Sequence, residues 1–535
     1  MEKEFRNFLD RHVAQVEPLS KEVNLSYWNA AVSGKKSDYE KMARLELELR
    51  KIYADSRAFQ KIRRFRESGQ IGDPLLKRQL DLLYLAYLEN QIPPELLQKL
   101  VSLGTEIENL FNTFRAEIDG KKITNNEILK ILRYEHDSGL RRKAWEASKQ
   151  IGPVVAEKLL QLVRLRNEAA TSLGFETYYE LSLVTAEQNP VEIASLFDAL
   201  ATQTEAPFRR IKADLDAALA ERYGISAKEL KPWHYEDPFF QESPHIFDVD
   251  FDKFFAEQDV VALARDFYAG IGLPADAILE RSDLYEKPGK DQHAFCIDID
   301  RRGDVRVLAN VKNDEYWMST MLHELGHGVY DFFIDRRLPF LLRTHAHIFI
   351  TEAVAMFFGR LSRSADWLGK MVEIPVPQLQ QVARDAQKAQ QLQQMIFSRW
   401  VQVMVNFERE LYRNPEQDLD ALWWQLVEKF QLVKPVEGRK AADWATKIHI
   451  CTAPVYYHNY MLGELFASQV RHFIVKNILN LPQDADVGFV HEPEVGRFFR
   501  ENLFAPGAQF NWAELVQKVT HESLTPEYFV RQFVA

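Results

Sequence analysis

The residues with the clearest chemical potential are the two histidines and the glutamate of the stretch HELGH, at positions 323–327. This is the H-E-x-x-H pattern of zinc peptidases. On a helix, His323 and His327 lie on the same face, so both can reach one metal ion. Glu324 lies about 100° around the helix, where its carboxylate can accept a proton from a zinc-bound water. The motif therefore predicts a metal site with a neighbouring base.

A catalytic zinc ion takes a third protein ligand and keeps its fourth position open. The metzincin continuation is excluded, because Tyr330 and Phe333 stand where that class needs glycine and histidine. A glutamate at the start of a helix can also serve as the partner of the helix dipole. The apolar segment TEAVAMFFGRL nevertheless favours Glu352 as the third ligand. The downstream candidates are Asp331, Asp335, His345, His347 and Glu352.

The surrounding sequence indicates which elements must position these residues. Amphipathic stretches at 39–65, 94–118 and 378–412 predict helices. The stretch HAFCIDIDRRGDVRVLANV, at 293–311, alternates around RRGD and predicts a β-hairpin. Asn313 or Asp314 is predicted to cap the helix that carries H-E-x-x-H. The fold class is thus mainly α, with a small hairpin before the zinc helix whose edge could bind a peptide backbone.

Composition excludes several classes of partner. The 535-residue chain has a formal charge of −11 and lacks a long basic block, so nucleic acid is not an expected partner. No apolar run is long enough to span a membrane. The charged N-terminus lacks the apolar core of a signal peptide, and two cysteines favour a reducing compartment. The expected location is cytoplasmic, with removal of an earlier secretory signal left open.

HELGH followed by the triplet TEA at 351–353 resembles the angiotensin-converting-enzyme family of gluzincin peptidases. The YYHNYMLGELFA segment is also similar to the thimet-type oligopeptidases. The resemblance spans roughly residues 20–475, and it implies a large helical peptidase of two lobes around a deep central cleft. It implies one catalytic unit over residues 1–535, with a zinc-site core at about 284–475. The matching stretches are LSYWNA at 25–30, LYEKPGKDQHAFCIDI at 284–299, WWQLVEKFQLVKPV at 423–436 and TKIHICTAPVYYHNYMLGELFASQ at 446–469.

The resemblance also implies roles for residues outside the H-E-x-x-H helix. One pair stabilises the oxyanion, one pair binds the C-terminal carboxylate of a peptide, and one pair binds the peptide backbone. Each residue also has an ordinary structural alternative, such as a core tyrosine, a solvated lysine or the first residue of a strand. The pair that stabilises the oxyanion is Tyr460 and His449, the pair that binds the carboxylate is Lys447 and Tyr457, and the pair that binds the peptide backbone is His293 and Ala294.

The chain departs from the family pattern at four positions. Val427 and Asn459 stand where chloride-binding arginines are expected, so chloride activation is not predicted. Tyr235 stands where the family has a glutamine that helps to hold the substrate carboxylate. Met356 replaces a carboxylate near the metal, so another group must orient a zinc-binding histidine.

These observations predict a zinc metallopeptidase, with one Zn²⁺ per chain, that hydrolyses short peptides. The favoured mode is release of C-terminal dipeptides. Two other peptidase modes remain open: an oligoendopeptidase of the thimet or oligopeptidase F kind, and a C-terminal carboxypeptidase. A more remote alternative is a helical binding protein with a structural zinc ion.

Overall fold

The computed structural model describes residues 1–247 and 249–534, and 68% of the chain is helical. The predicted mainly α fold is confirmed. The described residues form two small antiparallel sheets, and short 3-10 and π-helical segments connect several of the helices. The helices and strands are α1 (Glu2–Ser33), α2 (Lys36–Tyr53), α3 (Ser56–Glu67), α4 (Pro74–Glu89), α5 (Pro94–Thr113), β1 (Ala116–Ile118), β2 (Lys121–Ile123), α6 (Asn125–Tyr134), α7 (Ser138–Ser148), α8 (Gly152–Ser172), α9 (Tyr178–Thr185), α10 (Pro190–Tyr223), α11 (Asp252–Phe255), α12 (Val260–Gly270), α13 (Asp276–Leu279), β3 (Phe295–Asp298), β4 (Val305–Leu308), α14 (Glu315–Phe332), α15 (Ile348–Gly359), α16 (Ala365–Met371), α17 (Val376–Arg413), α18 (Leu419–Gln431), α19 (His449–Thr452), α20 (Tyr457–Phe473), α21 (Pro493–Phe498), α22 (Trp512–Thr520) and α23 (Glu527–Phe533).

Two of the three predicted amphipathic helices have different boundaries in the structure. The stretch 39–65 forms parts of α2 and α3, because Asp55 accepts hydrogen bonds from the backbone N–H groups of Arg57 and Ala58 and so starts a new helix. The stretch 94–118 is helical only to Thr113 and then enters β1. The stretch 378–412 lies within the single helix α17, as predicted.

The chain divides into two compact units. Unit 1 contains residues 1–91, 250–384 and 462–528, and unit 2 contains residues 92–249, 385–461 and 529–535. The two predicted lobes, the central cleft and the single catalytic body remain predictions.

Helix α14 occupies the centre of unit 1. Its start is set by Asp314, whose side chain accepts a hydrogen bond from the Trp317 N–H at 2.9 Å, as the sequence predicted. Helices α12 and α15 and both strands of the β3–β4 hairpin contact α14. From α12, the Tyr268 hydroxyl donates to the Leu322 carbonyl at 2.5 Å and ties the two helices together.

The predicted hairpin forms, and its turn contains the RRGD stretch on which the prediction is centred. Phe295 pairs with Leu308, and Asp298 pairs with Val305. Gly303, with a φ of 105°, lies in the turn, where a residue without Cβ is favoured. On the hairpin side that faces α1, Trp28 packs into a cluster that includes Leu308. The hairpin is therefore held by packing as well as by its backbone hydrogen bonds.

Small residues allow α14 and α15 to lie close together. A Cβ atom added at Gly326 would lie 3.0 Å from the Ala355 Cα atom, which belongs to the backbone of α15. A Cβ atom added at Gly359 would lie 3.2 Å from the His323 Cβ atom. A side chain at either position would require the facing atoms to move by a few tenths of an ångström, and at Gly326 those atoms belong to the backbone of α15.

Unit 2 is built around α17 and its neighbours. Arg399 of α17 donates to the Phe430 carbonyl at 2.8 Å and to the Ala201 carbonyl at 2.9 Å. These bonds join α17 to α18 and α10. Trp145 and Trp233 pack at a ring distance of 6.2 Å in a second cluster beside β1.

Within the described ranges, no helix has both the length and the apolar character needed to cross a bilayer. The cytoplasmic location remains a prediction.

We expect Gly326→Ala to weaken both folding and metal binding, because the new methyl group meets the α15 backbone. Overpacking of this kind typically lowers the free energy of unfolding by about 1–3 kcal/mol. The matched control is Gly328→Ala, which gains the same helix propensity but meets the flexible end of Ile278 at 3.3 Å. Thermal unfolding and metal titration of both variants measure the difference. Equal stability and equal metal affinity in the two variants would contradict the proposed helix contact.

Candidate active site

Helices α14 and α15 bring together two histidines and a glutamate in unit 1. The Nε2 atom of His323 lies 3.6 Å from Oε1 of Glu352, and the Nε2 atom of His327 lies 3.5 Å from Oε2 of the same carboxylate. Ligand atoms about 2.1 Å from a tetrahedral ion are about 3.4 Å apart, so these separations fit zinc. Among the described residues, these three side chains form the cluster capable of holding one metal ion.

The charge states of the three side chains also suit a cation. Burial lowers the pKa of His323 to about 4, which favours the neutral imidazole that metals bind. Burial opposes ionisation of Glu352, but its hydrogen bond with His327 and the charges of both histidines keep its pKa below the usual value. Burial likewise disfavours protonated His327, yet the contacts with Glu352 raise its pKa. A divalent cation at this position would compete with protons for His327 and Glu352.

Thr351 holds the ring of one of these histidines. Its Oγ1 atom lies 2.7 Å from Nδ1 of His327. When Nε2 of an imidazole is a metal ligand, Nδ1 carries the proton, and an oxygen beside it fixes both the tautomer and the ring orientation. The sequence indicated that some group other than Met356 must do this, and Thr351 is in position to do so.

Glu324 lies beside the hairpin. The backbone N–H of Cys296, on β3, donates a hydrogen bond to its carboxylate. The residue is 8% exposed, and burial raises the pKa of Glu324 to about 7. A carboxylate with a pKa near neutrality can both accept and return a proton at physiological pH.

The predicted backbone-binding residues lie at the start of the same strand. His293 is exposed, and its N–H donates to Asp291 Oδ1 at 3.0 Å. Since the Cys296 N–H points to Glu324 rather than to β4, the alternation of strand hydrogen bonds places the Ala294 backbone groups on the same edge. That edge therefore leads directly to the candidate base.

The other predicted site residues lie together in unit 2. They line an open pocket of about 360 Å³. The His449 and Tyr457 rings are 5.0 Å apart, and the Tyr457 and Tyr460 rings are 5.5 Å apart. The residues around this pocket are Gln241, Glu242, Gln393, Phe397, Lys447, His449, Tyr457 and Tyr460.

Lys447 supplies the positive charge of this pocket. It is 7% exposed, and burial lowers the pKa of its ammonium group to about 8, partly offset by Asp237 and Glu242. Its Nζ atom donates to Gln241 Oε1 at 2.6 Å. No carboxylate in the described part of the chain forms an ion pair with Lys447, so its charge can bind an anionic group. Burial, with the charge of Lys447, lowers the pKa of His449 to about 4.

Gln241 is a pocket residue that sequence reasoning missed. Tyr235, which the sequence placed at the expected glutamine position, makes other contacts. Its hydroxyl accepts from Lys212 at 2.8 Å and donates to Asp216 at 3.0 Å. That placement was wrong for this pocket, because Gln241, a few residues farther along the chain, is the glutamine beside Lys447. The signal was the glutamine that directly follows the stretch KPWHYEDPFF.

The two positions linked to chloride carry no charge in the structure either. Val427 lines a small pocket that also contains Lys149, whose pKa is lowered to about 7 by burial. The Asn459 side-chain oxygen accepts from Gln188 at 2.9 Å. The absence of chloride activation remains a prediction.

The other candidates for the third metal ligand have different partners. Nδ1 of His345 lies 3.7 Å from Oδ1 of Asp331. His347 caps α15 by accepting a hydrogen bond from the backbone of that helix, and Asp335 pairs with Arg337. Of the alternatives that the sequence left open, Glu352 is the one that the fold places beside both histidines.

Two family models match separate parts of the chain. The angiotensin-converting enzyme model matches residues 1–234, and the peptidase family M3 model matches residues 279–535. The second match includes the H-E-x-x-H motif, Glu352 and the stretch from Lys447 to Tyr460. No curated protein matches the chain significantly.

We expect Thr351→Val to lower metal affinity about 10–100-fold, because the shape is kept while the oxygen that holds His327 is lost. The matched control is Thr351→Ser, which keeps the hydroxyl and should bind metal nearly as well as the wild type. Competition with a chelator measures the affinity. A Thr351→Val protein with wild-type metal affinity would contradict the orienting role.

Proposed function

Since the chain is a metallopeptidase related to the angiotensin-converting enzyme family and to peptidase family M3, we propose that it is zinc-dependent and releases dipeptides from the free C-terminus of short peptides. The observation that carries the proposed mode is the buried ammonium group of Lys447, which donates to Gln241, lies beside Tyr457 in the pocket of unit 2, and has no ion pair within the described ranges.

The ligands in this proposal are His323, His327 and Glu352, which offer the two nitrogens and one carboxylate typical of a catalytic zinc site. Zinc bound there supplies a Lewis acid that activates water near neutral pH. Thr351 fixes the ring of His327 by its contact at Nδ1. The protein thus provides both the donors and a group that orients them.

Glu324 is the general base and later the general acid. Its carboxylate takes a proton from the attacking water and returns it to the leaving amine. The Cys296 N–H keeps the carboxylate beside the strand edge. An extended peptide that pairs with this edge through the Ala294 backbone, beside His293, needs no particular side chain, which suits an enzyme for varied peptides.

Tyr460 and His449 stabilise the negative charge that develops on the carbonyl oxygen. The Tyr460 hydroxyl donates a hydrogen bond to this oxygen, and His449 assists it. Loss of one such donor typically raises the barrier by about 3–4 kcal/mol. Because the pKa of His449 is lowered to about 4, its imidazole is neutral at physiological pH.

Lys447, Gln241 and Tyr457 bind the C-terminal carboxylate. A hydrogen bond between charged groups contributes more than a neutral one, and its effect increases in a partly buried pocket. Gln241 keeps the ammonium group in place through its side-chain oxygen. A free carboxylate is therefore the substrate group that this pocket fits best.

One observation favours a second candidate, an oligoendopeptidase that cuts inside peptides. The part of the chain that carries both the metal cluster and the pocket residues matches peptidase family M3. Digestion of peptides with free and amidated C-termini separates the modes. Stepwise dipeptide release from free peptides alone supports the first mode, internal cuts in both support the second, and release of single residues supports a carboxypeptidase.

We expect Glu324→Gln to abolish nearly all hydrolysis while zinc remains bound, since glutamine keeps the shape but cannot accept the proton. Mass spectrometry of the products measures hydrolysis, and elemental analysis measures zinc. The matched control is Glu286→Gln, an exposed glutamate before the hairpin, which should retain full activity. Wild-type activity in Glu324→Gln would overturn the mechanism. A wild-type protein that binds zinc and cleaves no short peptide would favour a structural zinc ion.

We expect Lys447→Met to lower kcat/KM about 10–100-fold for peptides with a free C-terminus, because a charge-assisted hydrogen bond of about 1.5–3 kcal/mol is lost. Cleavage of amidated peptides should change little. Steady-state kinetics on matched peptide pairs measures both values. The control is Lys440→Met, at an exposed lysine of the same unit. Equal losses for free and amidated peptides would contradict the carboxylate role.

The pH dependence gives a second measurement of this role. With a pKa of about 8, Lys447 loses its charge as pH rises through that value, so kcat/KM for free peptides should fall above pH 8. Asp237 and Glu242, which favour the ammonium form, face the same group. The Lys447→Met variant and amidated substrates should lack this decrease. A decrease that persists in the variant would assign it to another group.

A further inference from the structure

The segment between α19 and α20 contains a strained residue. Val455 has a φ of 54°, in the left-handed region that β-branched residues rarely adopt. Such a conformation persists only where the surrounding structure holds it, and strained residues of this kind cluster at active sites and ligand clamps. The strained residue lies between His449 on α19 and Tyr457 on α20, both of which line the pocket of unit 2.

A buried carboxylate holds the strained end of this segment. Glu408, on α17, is 2% exposed, and its Oε1 atom accepts the Val455 N–H at 2.9 Å. Burial raises the pKa of Glu408 to about 7. Both the ionised and the neutral carboxyl group can accept this bond, so the contact does not depend on the charge state.

A buried guanidinium group holds the other end. Arg166, on α8, donates to the Ile450 carbonyl at 2.8 Å and to the Cys451 carbonyl at 2.6 Å, both within α19. It also donates to the Tyr412 hydroxyl at 3.0 Å, and Tyr412 lies on α17 together with Glu408. Helix α8 therefore holds one end of the connection and α17 holds the other, and the Arg166–Tyr412 hydrogen bond joins the two helices.

Burial of Glu408 and Arg166 costs solvation free energy, which their hydrogen bonds to the α19–α20 connection must offset. Burying a carboxylate or a guanidinium group is unfavourable without specific partners. A glycine at position 455 would adopt the same backbone angles without strain. The chain instead has a valine there and a buried glutamate that binds its N–H, a combination that permits one conformation and penalises the alternatives.

We propose that Glu408 and Arg166 are positioning residues, which hold the α19–α20 connection in the conformation that keeps the pocket residues in register. The inference rests on the proposed peptidase function. The residues held in this way are Lys447 and His449 before the connection and Tyr457 and Tyr460 after it.

Glu408→Leu and Glu408→Gln form the matched pair that tests this role. Glutamine keeps an oxygen that can accept the Val455 N–H, so kcat should stay within about threefold of wild type. Leucine removes the acceptor, and misplacement of the pocket residues by about 1 Å lowers kcat about 100-fold. Zinc content should stay unchanged in both variants. Glu408→Leu with lower thermal stability but wild-type kcat would show a merely structural role and overturn the inference.

Val455→Gly supplies a rescue that a structural role does not predict. Because glycine adopts a φ of 54° without strain, the Glu408→Leu/Val455→Gly protein should recover about tenfold in kcat over Glu408→Leu. The double variant also serves if Glu408→Leu alone does not fold. A double variant as inactive as Glu408→Leu, or a Glu408→Gln protein that has lost more than tenfold in kcat, would overturn the inference.

Hydrogen exchange tests the contact without relying on activity. In Glu408→Leu, peptides that contain the Val455 amide should exchange at least tenfold faster than in wild type, while peptides from α14 should be unchanged. Unchanged exchange at Val455 overturns the inference whatever the activity. If wild type cleaves no peptide while exchange responds as expected, the proposed function fails and the contact itself stands.

Discussion

The close approach of α14 and α15 is the constraint on which the metal cluster depends. The spacing of His323 and His327 sets a common face on one helix, but the third donor must come from a different helix. Gly326 removes the side chain that would separate the two backbones, and Glu352 then reaches both imidazoles at 3.5–3.6 Å. The same closeness makes the cluster partly buried, and a carboxylate in such surroundings needs cationic partners. Helix packing and ligand chemistry are therefore linked at this site. The packing that brings the ligands together also buries the Glu352 carboxylate, which then requires a positive charge nearby.

The hairpin imposes a second constraint on the same unit. Alternate residues of an antiparallel strand direct their backbone groups to opposite edges. One edge of β3 pairs with β4, and the Cys296 N–H on the other edge reaches Glu324. The strand that can accept a peptide backbone and the carboxylate that can move a proton are thus fixed to each other by a hydrogen bond. Trp28 of α1 packs with Ile299 and Leu308, so the hairpin is supported by α1 as well as by α14.

The features that the sequence predicted correctly are those set by local chemistry. Asp314 caps its helix through a neighbour three residues away, and the hairpin follows from alternation around a short turn. The break between α2 and α3 at Asp55 also depends on a local cap. It was missed from the sequence because the amphipathic pattern continues across the break. The contacts that sequence reasoning missed join distant parts of the chain. Gln241 meets Lys447 and Glu408 meets Val455 only because the fold of unit 2 brings these separate segments together. The resemblance to the family placed the expected glutamine position at Tyr235. Spacing along the sequence alone does not determine which side chain faces a pocket.

The proposed recognition of a free C-terminus depends on the environment of the Lys447 ammonium group in the pocket of unit 2. Burial makes the ammonium form of Lys447 less favourable, and Asp237 and Glu242 restore only part of the loss, so the pKa of Lys447 remains at about 8. The group is still mostly charged at neutral pH, and the side chain to which it donates, Gln241, is neutral. A substrate carboxylate would supply the missing negative charge, whereas an amide would add only a dipole. The difference in binding free energy between a free and an amidated C-terminus is therefore larger here than at an exposed lysine, where water stabilises the ammonium group with either ligand. The proposed specificity thus depends less on the number of contacts than on the buried charge of Lys447, which nearby carboxylates of the protein neutralise only in part.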